Sequence, residues 1–336
     1  MKVTITDIAR AAGVAKSTVS KVLNDSPGIS QETKRRVRDI MKKMNYIPSS
    51  MATRLARQNS CTIGLLIDMS KESEFLNPFF YSIIGGIESV LGSLKYELTI
   101  ANVQNDDPEG GFLNALVLGK RVDGIIANTS VLTEEMCAEL NRLGFPYVSI
   151  GELQSAVAWV DCHNEAGGAM LTVHLLEQGY TDVAFIGGQQ ESLLFTRRLT
   201  GYQETLERAG FSVRHDRIFF GAADEEAGYL AARQLLQSAE PPDSIVCMSN
   251  YAAFGVLRAA SELSVEIPSQ LGVATFDEYP LSRYTTPPLT SLDINTFELG
   301  AAAGRLLIER MGNTTGPDSR LMLDPKLIVR TSSMRS

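Results

Sequence analysis

Lys16, Ser17, Thr18, Ser20 and Lys21 stand within six consecutive positions of this chain. Helical spacing puts Lys16, Ser17, Ser20 and Lys21 on one side of a short helix, opposite Val19, Val22 and Leu23. Short hydroxyls and long cations on one face suit the base edges and phosphates of a DNA major groove. Other chemistry is hard to assemble. Cys61, Cys137, Cys162 and Cys247 lack C-x-x-C spacing, so they make neither a disulfide framework nor a zinc site, and they suit a reduced cytoplasm. His163, His174 and His215 lack metal-ligand spacing. Gly119-Lys120 is followed by Arg121, not Ser or Thr, and no G-x-S-x-G occurs. The expectation is a protein with no catalytic residues, no metal and no cofactor.

The elements that position the polar face follow from the flanking residues. Ile5, Ile8, Ala9 and Ala12 form one apolar helical face, with Thr4 as its cap and Asp7 completing a capping box. Gly13 ends that helix. A second helix fits Lys16 to Leu23. A third starts after Ser30, buries Val37, Ile40, Met41 and Met44, and shows Lys34, Arg35, Arg36, Arg38, Lys42 and Lys43 to solvent. Helix, glycine turn, polar-faced helix and supporting helix make a helix-turn-helix. Charge agrees. The first 60 of the 336 residues hold twelve Lys and Arg against four Asp and Glu, a net of +8. The whole chain is at -8, so the remainder carries -16. A basic head on an acidic body points to a nucleic-acid-binding module.

From residue 61 short β-branched runs alternate with helical stretches. Strands fit Thr62–Ile67, Leu98–Val103, Gly124–Ala127, Tyr147–Ile150, Val183–Ile186, Ser244–Met248 and Val273–Phe276, with helices such as Phe80–Leu94 and Ala166–Gln178 between them. This is an α/β body of doubly wound parallel sheets in two similar lobes with a cleft between. On pattern alone it fits a dehydrogenase, a kinase or a sugar-binding protein equally. No run of about 18 apolar residues spans a membrane, and the first residues lack an export signal, which predicts a cytoplasmic protein.

The run from Val3 to Asn24, with Thr-Asp-Ile-Ala at 6–9 and Ser-Thr-Val-Ser at 17–20, resembles the signature of the LacI/GalR family of bacterial transcription regulators. The resemblance continues through Gly85-Gly86-Ile87-Glu88, Val122-Asp123-Gly124-Ile125-Ile126, Arg198-Leu199-Thr200-Gly201-Tyr202 and Pro288-Leu289-Thr290-Ser291-Leu292. It implies a DNA-binding domain over 1–46, a hinge over 47–60 and a periplasmic-binding-protein-like core over 61–333. Lobe one would be about 61–160 and 290–320, lobe two about 161–289 and 321–333. It places DNA contacts on Thr4, Lys16, Ser17, Thr18, Ser20, Lys21 and Asn24. In the hinge, Leu55 would be a minor-groove wedge, with Ala52 against its dimer mate and Arg54 toward phosphates. Ala15 departs from the Ser that usually caps the recognition helix. The implied partners are pseudo-palindromic double-stranded operator DNA, a second copy of the chain and a small sugar-like effector, with no membrane.

Ligands of open α/β sheets bind beyond the carboxyl ends of strands. Four segments there resemble ligand loops. Asn77-Pro78-Phe79-Phe80 is similar to a loop of ribose-binding proteins, in which Asn bonds hydroxyls and Phe stacks on the ring. Arg198 offers a fork of donors. Asn250 follows Ser249, and Asp277 supplies a pair of acceptors. Ala223 stands where many relatives have an aromatic platform. Asp68, Asn128, Glu152 and Asp161 read as structural or solvated, and Cys162-His163 as structural. The expected function is repression of a carbohydrate-utilisation operon under control of a cleft-bound effector. Two alternatives stay open. One is a catabolite-control-type regulator answering to a phosphorylated carrier protein, suggested by Leu116–Gly124 and Leu299–Leu307. The other is a nucleobase-responsive corepressor type.

Overall fold

The computed structural model describes residues 3–23, 26–46, 59–68, 78–103, 111, 113–314, 316 and 318–335. It divides into two compact units, Met1–Thr62 with Leu113–Asp123, and Ile63–Phe112 with Gly124–Ser336.

The first unit carries α1 (Ile5–Ala12), α2 (Lys16–Leu23) and α3 (Gln31–Lys43). Thr4 and Asp7 form the expected box: the Thr4 hydroxyl donates to Asp7 Oδ2 at 2.7 Å, and the Thr4 N–H donates to the same oxygen at 3.0 Å. Those bonds hold the Asp7 carboxyl below its ordinary pKa. Gly13 ends α1 at φ 63°, in the left-handed region that glycine enters without cost. Ile8, Ala9, Ala12, Val19, Val22 and Val37 are buried together, with Ile40, Met41, Met44 and Tyr46 packed against them. One expectation fails here. Lys34 is buried rather than solvent-facing, because the third-helix residue three before Val37 lies on the same inward side.

The second unit holds two six-stranded sheets. The first runs β11-β5-β4-β3-β1-β2, from β1 (Thr62–Ile67), β2 (Glu97–Asn102), β3 (Gly124–Asn128), β4 (Tyr147–Ile150), β5 (Ala158–Cys162) and β11 (Arg320–Leu323). The second runs β12-β10-β9-β8-β6-β7, from β6 (Val183–Ile186), β7 (Ile218–Phe219), β8 (Ser244–Cys247), β9 (Gly272–Phe276), β10 (Thr290–Asp293) and β12 (Lys326–Ile328). Central strands such as β1, β6 and β8 are buried along their whole length, as strands covered on both faces must be. β12 is an exception to the parallel rule and runs antiparallel to β10.

The lobe boundaries expected from sequence need correction. Residues 290–293 were expected in lobe one, yet Thr290, Ser291 and Leu292 pair parallel with Ala274, Thr275 and Phe276 of β9. The chain leaves the first sheet after Cys162, returns after Asp293, and crosses last between Leu323 and Lys326.

Helices cover the sheets in close pairs: α4 (Pro78–Leu91) with α10 (Thr296–Met311), α6 (Asn164–Glu177) with α7 (Leu193–Arg208), and α8 (Glu225–Leu236) with α9 (Asn250–Glu262). α5 (Glu134–Arg142) joins β3 to β4. Between α6 and α7 the contact is backbone to backbone. A Cβ on Gly168 would lie 2.1 Å from the Arg198 carbonyl oxygen, and one on Gly201 would lie 1.9 Å from that of Glu165. Only glycine permits this approach, which sets the start of α6 beside the second turn of α7.

Candidate functional sites: a basic helical face and an interlobe cluster

In the first unit α2 exposes Lys16, Ser17 and Lys21, with Thr18 and Ser20 half-buried beside them. Val19 and Val22 anchor its opposite side. The Ala15 carbonyl accepts the first turn's N–H groups of Thr18 and Val19 at 2.9 and 3.2 Å, with no side-chain cap. Leaving out that cap costs about 1 kcal/mol of helix stability. Thr4 is engaged with Asp7 and serves α1 as its cap. Asn24, Ala52, Arg54 and Leu55 lie outside the described residues, as does Asn77 of the second unit.

In the second unit Arg198 of α7 is nearly fully buried and draws four segments together. Its Nε donates to Asn164 Oδ1 at 2.9 Å, and its Nη1 donates to the Met248 carbonyl at 2.8 Å. Its Nη2 lies 3.5 Å from Asp277 Oδ1. The guanidinium stacks 4.0 Å from the centroid of Phe276. Asp277 follows β9 with φ at 66°, a left-handed conformation that Asp tolerates better than most residues. Burial raises its carboxyl pKa, and Arg198 opposes that rise. Its Oδ1 is buried and meets the Arg198 guanidinium at ion-pair distance without a well-formed hydrogen bond.

Asn250 opens α9 and is buried. Its amide nitrogen donates to the Asp277 carbonyl, and its Oδ1 accepts from the Ser282 hydroxyl at 3.0 Å. It therefore holds the Asp277 turn, with both ends of its amide engaged inside the protein. Phe79 and Phe80 are half-buried, lie edge to face with centroids 5.8 Å apart, and pack against the main core. Ala223 is exposed and its carbonyl accepts from Ser249 Oγ at 2.6 Å.

The structure also recruits residues that the sequence reading set aside. Asp161 Oδ2 accepts the Glu152 N–H at 2.9 Å, and its Oδ1 accepts from Cys162 N and Asn164 Nδ2 at 2.7 and 3.0 Å. Burial raises the Asp161 pKa against these bonds. Cys162 Sγ donates to Asn164 Oδ1 at 3.3 Å, and burial pushes its thiol up to about 12. It is a thiol at neutral pH and no nucleophile. Glu152 takes both Nε and Nη2 of Arg197 at 3.0 Å. The one signal shared by Glu152, Asp161 and Asn164 was their place at or just beyond a strand's carboxyl end. Asn164 also accepts from Arg198, 34 positions away, which no local pattern reveals. Among the described residues no group of three or more His, Cys, Asp or Glu could hold a metal, and no helix is long and apolar enough to cross a membrane.

Residues 4–49 match the model of bacterial regulatory proteins of the lacI family, and residues 172–333 match a periplasmic binding protein-like domain. Catabolite control protein A of Priestia megaterium is 31% identical over 337 residues, covering 99% of this chain and 100% of that protein. The solved complex of the transcriptional regulator CelR with cellobiose superposes with a TM-score of 0.75 at 27% identity, over 98% of this chain and all of that one. The lac repressor dimer, solved with operator and an anti-inducer, shares the fold with a TM-score of 0.86 at 23% identity over the full length of both chains.

Proposed function

Because this chain belongs to the lacI family of bacterial regulatory proteins, we propose that it is a homodimeric repressor of a carbohydrate-utilisation operon, acting in the cytoplasm and catalysing no reaction. α2 enters the major groove. Lys16, Ser17 and Lys21 reach base edges, and Thr18 and Ser20 approach the backbone. Asn24, Ala52, Arg54 and Leu55 add the hinge and flanking contacts. Two heads of a symmetric dimer read two half-sites, so the operator is a pseudo-palindrome.

The observation that carries the effector reading is the pairing of the partly exposed Asp277 carboxylate with Arg198, whose guanidinium has N–H groups left over. A neutral ligand rich in hydroxyls donates to the exposed part of the Asp277 carboxylate. It also accepts from the guanidinium N–H groups that Asn164 and Met248 leave over. Asn77, Phe79, Phe80 and Asn250 complete or support the site. The relative solved with cellobiose supports a sugar. A nucleobase would use the same donor and acceptor pair. A phosphorylated carrier protein would not need it, so the cleft favours a small molecule.

A thermal-shift screen of the full chain against sugars, sugar phosphates and nucleobases tests this. A ligand at 100 times its Kd adds about 2.7 kcal/mol to stability. Stabilisation by one sugar names the effector class. A flat response to sugars with a positive one to nucleobases overturns the carbohydrate reading. Silence across the whole panel overturns the cleft reading.

A further inference from the structure

Glu152 stands in the loop between β4 and β5, on the lobe built around the first sheet. Arg197 is in the second turn of α7, which covers the second sheet. Their side chains meet in a bidentate pair, with Nε and Nη2 each 3.0 Å from a carboxylate oxygen. Arg197 Nη1 is also 3.9 Å from Glu165 Oε2. The pair is largely exposed, with side-chain exposures of 45% for Arg197 and 21% for Glu152.

The same residue is tied to the cluster from its other end. The Glu152 N–H donates to Asp161, Asp161 accepts from Asn164, Asn164 accepts from Arg198, and Arg198 faces Asp277. Arg197 precedes Arg198 in the chain and returns to the Glu152 carboxylate. The path is a closed circuit. It leaves lobe one through the Glu152 backbone, passes the cleft arginine, and comes back through the Glu152 side chain.

We infer that Glu152–Arg197 is an interlobe latch. It biases the two lobes toward their closed arrangement and couples that bias to whatever occupies Asp277 and Arg198. Glu152 is a positioning residue: it acts through Asp161 and Arg197. The inference rests on the effector reading of the cleft for its consequence, while the latch itself needs no ligand. An exposed ion pair shifts an equilibrium by at most roughly five-fold. A latch of that strength is a bias that a ligand can overcome, and a regulator needs an equilibrium of this kind.

The test is the distance distribution between spin labels on Ala138 of α5 and Gln234 of α8, measured by pulsed electron-electron resonance in the full chain with Cys61→Ser and no ligand. Glu152→Gln keeps the shape and removes the charge. It is expected to lower the ratio of the short-distance to the long-distance population about two- to five-fold, with the melting temperature within a degree of the parent. The charge-swapped chain Glu152→Arg with Arg197→Glu is expected to regain the parent distribution. An unchanged distribution in Glu152→Gln overturns the latch, as does a charge-swapped chain that stays as open as the single variant. Since no ligand is present, failure here is separate from failure of the effector reading, which shows as a flat ligand screen.

Discussion

Gly168 and Gly201 face each other across α6 and α7 so closely that a methyl group on either would strike the opposing backbone, at 2.1 and 1.9 Å from a carbonyl oxygen. The consequence reaches the cleft. Asn164 stands four residues before Gly168 and Arg198 three before Gly201, and their side chains meet at 2.9 Å. Two residues without side chains thus set the position of the residues that bear the chemistry.

Gly201→Ala is expected to push the helices apart and cost about 1–3 kcal/mol, the usual range for overpacking. It should also weaken the response to a stabilising ligand. Gly28→Ala, where the added Cβ meets nothing within 4 Å, is expected to change stability by less than about 0.5 kcal/mol. Urea unfolding of both variants checks the contrast. Equal stabilities would contradict it.

Asp277→Ala is expected to leave operator binding intact and abolish the shift caused by effector, because it removes the carboxylate paired with Arg198 and keeps the head unchanged. Asp277→Asn should retain part of the response through its amide oxygen. Titration of each variant with the sugar found by thermal shift decides. A parental response in Asp277→Ala removes Asp277 from the site.

Lys21→Ala is expected to weaken operator binding by roughly 1–3 kcal/mol and relax one base preference. Lys43→Ala, on the exposed side of α3, should have little effect on sequence preference. Competition binding against duplexes with single base-pair changes measures both. Parental selectivity in Lys21→Ala would take it out of the reading set.

His174 gives a pH dependence with a definite sign. It is buried on α6, and its Nε2 lies 2.7 Å from Ser333 Oγ. Burial lowers its pKa below the ordinary 6.5. The unfolded chain therefore takes up the proton first as pH falls. The stability contributed by neutral His174 is fully present above pH 6.5 and is lost below it, down to the lowered folded value. His174→Asn is expected to show a smaller fall in melting temperature between pH 7.5 and 5.5 than the parent.

Much of this was legible in the sequence where local rules govern. The Thr4–Asp7 box, the Gly13 stop and the apolar faces of α1 and α2 depend on residues within one or two turns, and the structure has them as expected. Seven of the strands were legible from their β-branched runs, whereas β5, β7, β10, β11 and β12, two to five residues long, were not. What stayed hidden was long-range. β10 belongs with β9 because Leu292 pairs with Phe276, which alternation of elements cannot reveal. The half-buried pair of Arg330 with Glu278 joins residues 52 apart, and Glu278 is held below its ordinary pKa by Arg330 and Ser291 against the pull of burial. Glu152 and Asp161 looked like solvated polar groups because Arg197 of α7 and Asn164 of α6, which bind their side chains, lie outside their own strands. Asn250 was expected at a ligand, and the structure shows its amide holding Asp277 and Ser282, 27 and 32 positions away.

On the proposed reading, occupancy of the Arg198–Asp277 cluster controls DNA binding by the α2 face. The most direct test is an anisotropy titration of the full chain on a duplex selected from random DNA, with and without the sugar that stabilises the protein. A palindromic selected site and a 5- to 150-fold change in affinity on adding the sugar are expected, the span of a coupling of about 1–3 kcal/mol. The same affinity with and without a bound, stabilising sugar would contradict this reading.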